Sequence, residues 1–273
     1  MQTQEITPIK ITLPESVGNN FQIYVLSDVH IGDPHCDMEV LKQIVDSIKN
    51  TPSMYCIFLG DILNTALKTS KSDIYTETMN VAEAQKKAVE LFYPIKDKIL
   101  AMTPGNHENR VWKEAGVDIS LWLADKLEVT NRYRNEAIAL NIKFGRDVDG
   151  KPFHLNIFGQ HGQYGGGRKL GSAMNAVEDL DGIMCNADIY VRAHTHNAVQ
   201  GSRKVYYFNQ FGNVDCKVKY YYNSPSVLRY GGYALDKGYK PCNDDPMYLN
   251  IRAVSTRKDK KTLKSFKVDK IYL

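Results

Sequence analysis

Two hydrophobic rhythms run along the chain. Nearly continuous apolar stretches at residues 21–26, 54–59, 99–102, 153–158 and 188–191 have the length and flanking turn residues of buried strands. Between them, apolar positions fall at three- and four-residue intervals. Met38, Leu41, Ile44, Val45 and Ile48 share one helical face, and Val81, Ala84, Ala88, Leu91 and Ile95 share another. This order predicts an α/β fold of stacked layers. After about residue 200 the rhythm changes to aromatic and β-branched runs at 205–208, 217–222, 247–254 and 263–272, which predict a part made mostly of strands. No internal repeat, low-complexity tract or Pro/Gly-rich linker divides the sequence. Residues 1–273 are therefore expected to form a single domain whose β-rich C-terminal part, about 200–273, completes the same sheet system.

Composition narrows the class without naming a function. With 273 residues, 43% hydrophobic and 24% charged, the chain has the make-up of a globular protein with a sizeable core. No segment reaches the roughly 20 apolar residues of a membrane span, and residues 1–10 lack the basic start and apolar run of a secretion signal. A cytoplasmic location without membrane contact is the expectation. Cys36, Cys56, Cys185, Cys216 and Cys242 are scattered and never in CxxC spacing, which argues against a disulfide framework and a thiolate zinc site. The net charge of +4 is too small to announce a nucleic-acid partner, so any partner has to be argued from a site.

Such a site is signalled by position. Side chains able to bind metal follow the apolar runs, where open α/β sheets place their ligands. In "YVLSDVHIGD", Asp28 and His30 are two apart, so an extended backbone would point them the same way. "CIFLGDILN" delivers Asp61. "AMTPGNHENR" delivers Asn106 and His107 after a Pro-Gly turn, "NIFGQHGQYGGG" delivers His161, and "ADIYVRAHTHN" delivers His194 and His196. Taken singly, Asp28 reads as a turn residue and His161 as an interior histidine. Together, five of the seven histidines and two aspartates fall at strand ends, which chance does not explain.

The ordered pattern DxH, GDxxN, GNHE, a lone HG and HxH, spanning Asp28 to His196, resembles the calcineurin-like metallophosphoesterase superfamily. The resemblance implies a four-layer α/β/β/α sandwich. It also implies that Asp28, His30 and His196 hold one ion, that Asn106, His161 and His194 hold a second, and that Asp61 bridges both. His107 resembles the family histidine that contacts phosphate and protonates the departing oxygen, which would make it the general acid. The layout of "GNHENR", "GGGRK" and "ADIYVRAHTHN" further resembles metallophosphoesterases encoded by phages and mobile elements of Gram-positive bacteria.

Nitrogen and carboxylate donors without thiolates suit two divalent ions, with Mn2+ favoured and Fe, Zn2+ or Mg2+ as alternatives. Such a pair would supply a bridging hydroxide as nucleophile and clamp the phosphoryl oxygens. Arg110 and the run Gly166, Gly167 and Arg168 are further candidates for binding substrate phosphate; their bland reading is a loop with solvated charges. His35 and His154 match no partner and read as surface or sheet residues.

The stretch Gly60-Asp61-Ile62-Leu63-Asn64-Thr65-Ala66 departs from the GDxVDRG element of the serine/threonine protein phosphatases. That argues against the protein phosphatases, though not against dephosphorylation of another monoester. The nuclease branch tolerates variation after the GD pair, and with the phage-type resemblance this favours a phosphodiesterase acting on nucleic acid or nucleotides, with DNA or RNA as partners. Tyr164, Tyr206, Tyr207, Phe208 and the run Tyr220-Tyr221-Tyr222 could stack on bases, whereas their bland reading is half-buried sheet. The basic run at residues 257–261 could contact nucleic acid, or be a solvated hairpin turn. The alternatives kept open are a phosphomonoesterase acting on nucleotides or proteins, and a non-catalytic scaffold of the same fold.

Overall fold

The computed structural model describes residues 6–70, 74–162, 169–236, 240–241, 247–258 and 261–272. Eleven strands, six α-helices and four short 3-10 helices are seen among them. The strands and α-helices are β1 (Ile9–Thr12), β2 (Asn20–Leu26), α1 (Met38–Asn50), β3 (Met54–Leu59), α2 (Val81–Phe92), β4 (Ile99–Thr103), α3 (Asn106–Ala115), α4 (Ile119–Lys126), β5 (Ile138–Phe144), β6 (Phe153–Gln160), α5 (Leu170–Glu178), β7 (Ile189–Arg192), β8 (Val199–Phe208), β9 (Val214–Asn223), α6 (Gly232–Asp236), β10 (Met247–Lys258) and β11 (Lys261–Tyr272). They build two mixed sheets. One has six strands in the order β1-β5-β6-β7-β9-β8, and the other has five in the order β11-β10-β2-β3-β4.

Strands read as uninterrupted apolar runs because both of their faces are covered. Ile23, Val25, Ile57 and Leu59 of the five-stranded sheet pack against Leu140, Ile142, Ile157 and Val191 of the six-stranded one. The intervening residues Tyr24, Leu26, Cys56 and Phe58 point the other way, onto Leu41, Ile44 and Ile48 of α1, Ala84 and Ala88 of α2 and Leu123 of α4. On the far side, Phe158, Tyr190 and Tyr221 meet Val177 of α5. These three cores separate four layers, so the fold is the α/β/β/α sandwich expected. Among the described residues no helix is long and apolar enough to cross a membrane.

Local chemistry explains most element ends. Asp37 caps α1 by accepting hydrogen bonds from the backbone of Glu39 and Val40, and Asn80 with Glu83 forms a capping box on α2. The apolar face running to Ile95 predicts a longer α2, but the helix stops at Phe92. Pro94 lacks an amide hydrogen, and residues Tyr93–Lys98 continue as a 3-10 helix that still buries Ile95. The β-rich end is divided: β8 and β9 extend the six-stranded sheet, whereas β10 pairs with β2 and carries β11 on its outer edge. β10 and β11 run antiparallel, and the last described pair of their ladder is Lys258 with Lys261. The basic run thus falls where the two strands of a hairpin end; Asp259 and Lys260 lie outside the described residues.

Two expectations about aromatic residues are corrected. Tyr221 and Tyr222 are each 1% exposed and belong to the cores, because the strand carrying them is interior to its sheet and packed on both sides. They offer no stacking surface. Tyr220 is half-buried and donates a hydrogen bond to the Phe266 carbonyl. Tyr206, Tyr207 and Phe208 are exposed on the edge strand β8, and Tyr164 lies outside the described residues.

A polar knot closes the α5 side of the six-stranded sheet. Lys219 Nζ donates to Asp181 Oδ1 at 2.5 Å, and the Tyr221 and Tyr190 hydroxyls donate to the same carboxylate at 2.9 and 3.3 Å. Burial opposes ionisation of Asp181, but these donors outweigh it and hold the carboxyl below its ordinary value of 3.8. Its contribution to stability is therefore complete above the unfolded-state pKa and is lost as the pH falls through the lower folded value. Asp181→Ala should cost about 1–3 kcal/mol at pH 7 by leaving the Lys219 amine without its carboxylate. Urea unfolding at pH 7 and pH 3 should show the difference from the parent protein shrinking in acid.

Candidate metal centre

The proposed ligands reach one place because the chain exits its strands there. β2, β3 and β4 are parallel neighbours in one sheet and β6 and β7 are parallel neighbours in the other. Their carboxyl ends are followed by Asp28 and His30, Asp61, Asn106 and His107, His161, and the pair His194 and His196. The extended spacing expected for the DxH and HxH pairs is not what is observed. β2, β3 and β7 stop at Leu26, Leu59 and Arg192. Asp28, His30, Asp61, His194 and His196 then take left-handed dihedrals, with φ of 49°, 53°, 51°, 69° and 58°. An extended chain would carry residues two apart about 6.6–6.8 Å along the strand. The left-handed turns shorten that stride, and His30 Nε2 comes within 3.9 Å of Asp28 Oδ1. For residues with a Cβ this conformation costs about 1–2 kcal/mol each, and strain of this kind concentrates at functional sites.

Two glycines permit the closest approach. A Cβ on Gly60 would lie 2.5 Å from the Gly105 nitrogen, and one on Gly105 would overlap Asp61 Oδ1. The GD and GN motifs thus interlock through bare backbone. Asn106 and His107 are the first two residues of α3 rather than part of a loop, and the His107 amide donates to Asp61 Oδ1 at 2.7 Å.

Three overlapping clusters bring their ligand atoms within 4.8 Å of one another: Asp28, His30 and His196; Asp61, His161 and His194; and His30, Asp61 and His107. His196 Nε2 is 3.2 Å from Asp28 Oδ1, and His161 Nε2 is 3.1 Å from both Asp61 Oδ2 and Asn106 Oδ1. Asp28 Oδ1 and Asp61 Oδ2 are nonetheless buried without a hydrogen bond of acceptable geometry, as is His30 Nε2. Donors that share an ion, each about 2.0–2.2 Å from it, approach one another closely while their lone pairs point inward. The donor set therefore fits divalent cations. His107 belongs to the third cluster only by proximity, since Arg110 Nη2 lies 2.8 Å from its Nε2 and occupies that lone pair.

The electrostatics lead the same way. Burial opposes ionisation of Asp28 and Asp61, but histidines outweigh it, His196 at the first carboxylate and His161 at the second, and both carboxyls are held below their ordinary range. Burial likewise disfavours a protonated His161, yet Asp61 and Asp28 push it up to about 10. Burial lowers His30 and His194 below their usual value, which favours the neutral form that ligates metals, and it lowers His107 as well. Two buried carboxylates in one cage demand positive charge, which cations would supply in place of protons.

Glu108, the fourth residue of GNHE, is a functional residue that the sequence pattern did not single out. It is buried, and it accepts hydrogen bonds from the backbone of Asp61 at 3.0 Å, Leu63 at 2.9 Å and Gly105 at 2.8 Å. Burial and the neighbouring Asp61 push its carboxyl up to about 7. It ties the Asp61 turn to the start of α3. The signal for it is local: a glutamate three residues after the N-cap Gly105 can reach back to the N-cap amide, the half of a capping box that a glycine allows. Ser27 Oγ donates to Asp28 Oδ2 at 2.9 Å, and the Leu59 carbonyl lies 2.7 Å from His161 Nδ1, fixing which faces turn inward.

Of the remaining candidates, Arg110 stands beside His107, whereas Gly166, Gly167 and Arg168 lie outside the described residues. His154 is exposed on β6, and the His35 ring lies beside Gly231 and Gly232. Next to Asn106 and His161 opens a cleft of about 520 Å³ whose lining includes Asn109, Asn135, Glu136, Gln160 and Arg192.

Two outcomes test the cage. Adding a divalent cation to chelator-stripped protein should raise unfolding stability by about 2.7 kcal/mol at a hundredfold excess over its Kd; a thermal or urea melt reads this, and Asp61→Ala should lose most of the gain. Glu108→Ala should destabilise the protein by about 2–4 kcal/mol by leaving three buried amides unpaired, with Glu108→Gln losing less in the same melts.

The family model described as calcineurin-like phosphoesterase matches residues 21–198. Among solved structures, Vps29 from Chaetomium thermophilum is similar at 13% identity and a TM-score of 0.30, with 92% of this chain and 97% of that chain covered. The comparison with curated proteins gave no match. With a match that covers well over half of the chain and takes in every one of the converging ligands, this protein belongs to the calcineurin-like phosphoesterase family and is a metal-dependent phosphoesterase.

Proposed function

We propose that the chain hydrolyses phosphodiesters of nucleic acids or nucleotides, with His107 as general acid. Asp28, His30 and His196 would hold one divalent ion, and Asn106, His161 and His194 a second, with Asp61 shared; manganese is the first choice for both. When bound, such ions lower the pKa of water and neutralise phosphoryl oxygens.

The observation that carries the reading is the setting of His107. Its Nδ1 donates to the Asn64 carbonyl at 2.7 Å, which fixes the ring and leaves Nε2 as the atom facing the cage, 3.9 Å from Asp61 Oδ2. A proton carried on Nε2 can pass to the oxygen that departs from phosphorus. Arg110, now bonded to that nitrogen, is released once Nε2 is protonated and can then serve the phosphoryl oxygens. A placed acid matters most when the leaving group is an alkoxide, such as a sugar hydroxyl of a diester. The absence of the GDxVDRG element points away from the protein phosphatases.

Incubation with manganese should give turnover of bis-p-nitrophenyl phosphate and of single-stranded or duplex DNA. A higher kcat/KM for p-nitrophenyl phosphate than for every diester would replace the reading with a phosphomonoesterase. His107→Ala should retain its metal by elemental analysis while losing about 10²–10⁴ in kcat on alkoxide-leaving diesters. The loss should be far smaller with p-nitrophenolate leaving, and equal losses on both would remove the acid role.

A further inference from the structure

The cleft beside Asn106 and His161 has a lining dominated by hydrogen-bonding groups. Gln160 and Arg192 are register partners at the ends of the parallel strands β6 and β7, so their side chains stand together on one face of the sheet. Arg192 is anchored there, its Nη1 donating to the Ala176 carbonyl of α5 at 2.7 Å. Asn109 comes from α3, one turn beyond Asn106, and Asn135 and Glu136 precede β5. The side chains of Asn109, Asn135 and Gln160 make no hydrogen bond with another described residue. Among the described residues, Pro104 is the one apolar side chain lining the space of about 520 Å³, and no Phe, Tyr or Trp ring does so.

We propose that this cleft is a subsite for a sugar, the hydroxyl-bearing group esterified to the phosphate held at the cage. The proposal rests on the phosphoesterase reading above and names the class of group on its substrate. The carboxamides of Asn109, Asn135 and Gln160 each offer a donor and an acceptor side by side, which matches neighbouring hydroxyls that donate and accept. A nucleobase would find polar edges but no Phe, Tyr or Trp ring of the described lining to stack on. The volume lies within the range of small-molecule sites. A site built to hydrogen-bond hydroxyls discriminates strongly against an analogue that lacks them.

The test is equilibrium binding by calorimetry to the manganese-loaded protein, comparing ribose 5-phosphate with phenyl phosphate and thymidine 5′-phosphate. Ribose 5-phosphate should bind at least tenfold more tightly than phenyl phosphate. Asn135→Ala and Gln160→Ala should each reduce its affinity about three- to tenfold, with a smaller change for phenyl phosphate. Equal binding of the two, no binding of either, or variant losses confined to thymidine 5′-phosphate would overturn the assignment, the last by making the cleft a base subsite. Sugar-dependent binding without turnover of any ester would leave the subsite standing and remove the catalytic reading. Turnover without a sugar preference would do the reverse.

Discussion

Asp28 and Asp61 are buried carboxylates whose inward oxygens lack a hydrogen bond, and the rest of the site is organised around that charge. Like charges in a low-dielectric interior repel strongly and desolvation adds to the cost, so a stable cage has to bring positive charge to them. The surrounding imidazoles do part of this, as the raised pKa values of His161 and His196 show. Divalent cations would do it without holding protons on the ligands.

The same constraint accounts for the backbone. Five ligand residues sit in left-handed conformations that would be unfavourable on an isolated loop. They persist because each loop is pinned at both ends by a strand or helix and tied to its neighbour. The Val29 and His30 amides donate to the Asp61 carbonyl, the His194 amide donates to Asp28 Oδ2, and Glu108 gathers three amides from two loops. The sandwich core therefore holds the strained rim on which the candidate ligands sit.

The proposed sugar subsite is built from a different material. The carboxylates of the cage are buried, whereas the described lining of the adjoining cleft is made mostly of carboxamides, with Glu136 and Arg192 beside them. The exposed aromatics Tyr206, Tyr207 and Phe208 are on the edge strand β8, in the half of that ribbon away from the Val199 end that follows His196. In the proposed subsite, recognition close to phosphate falls to hydrogen-bonding groups.

The strands at residues 54–59 and 153–158, the face of α1 and the order in which the candidate ligands come were legible in the chain, because hydrophobic period and side-chain chemistry are local properties. The alternation of β5 was also present, with Ile138, Leu140, Ile142 and Phe144 buried, though its short apolar steps are broken by Asn141 and Lys143. What the tertiary structure alone decided depends on distant segments meeting. Tyr221 and Tyr222 became core because β9 is interior to its sheet, Glu108 became a clasp because the Asp61 turn lies over it, and the ligand turns became left-handed because two sheets converge on one point. Sequence periodicity records which faces of an element are apolar; the partner that covers a face, and the dihedral that closes a ring of ligands, are set only when the layers pack.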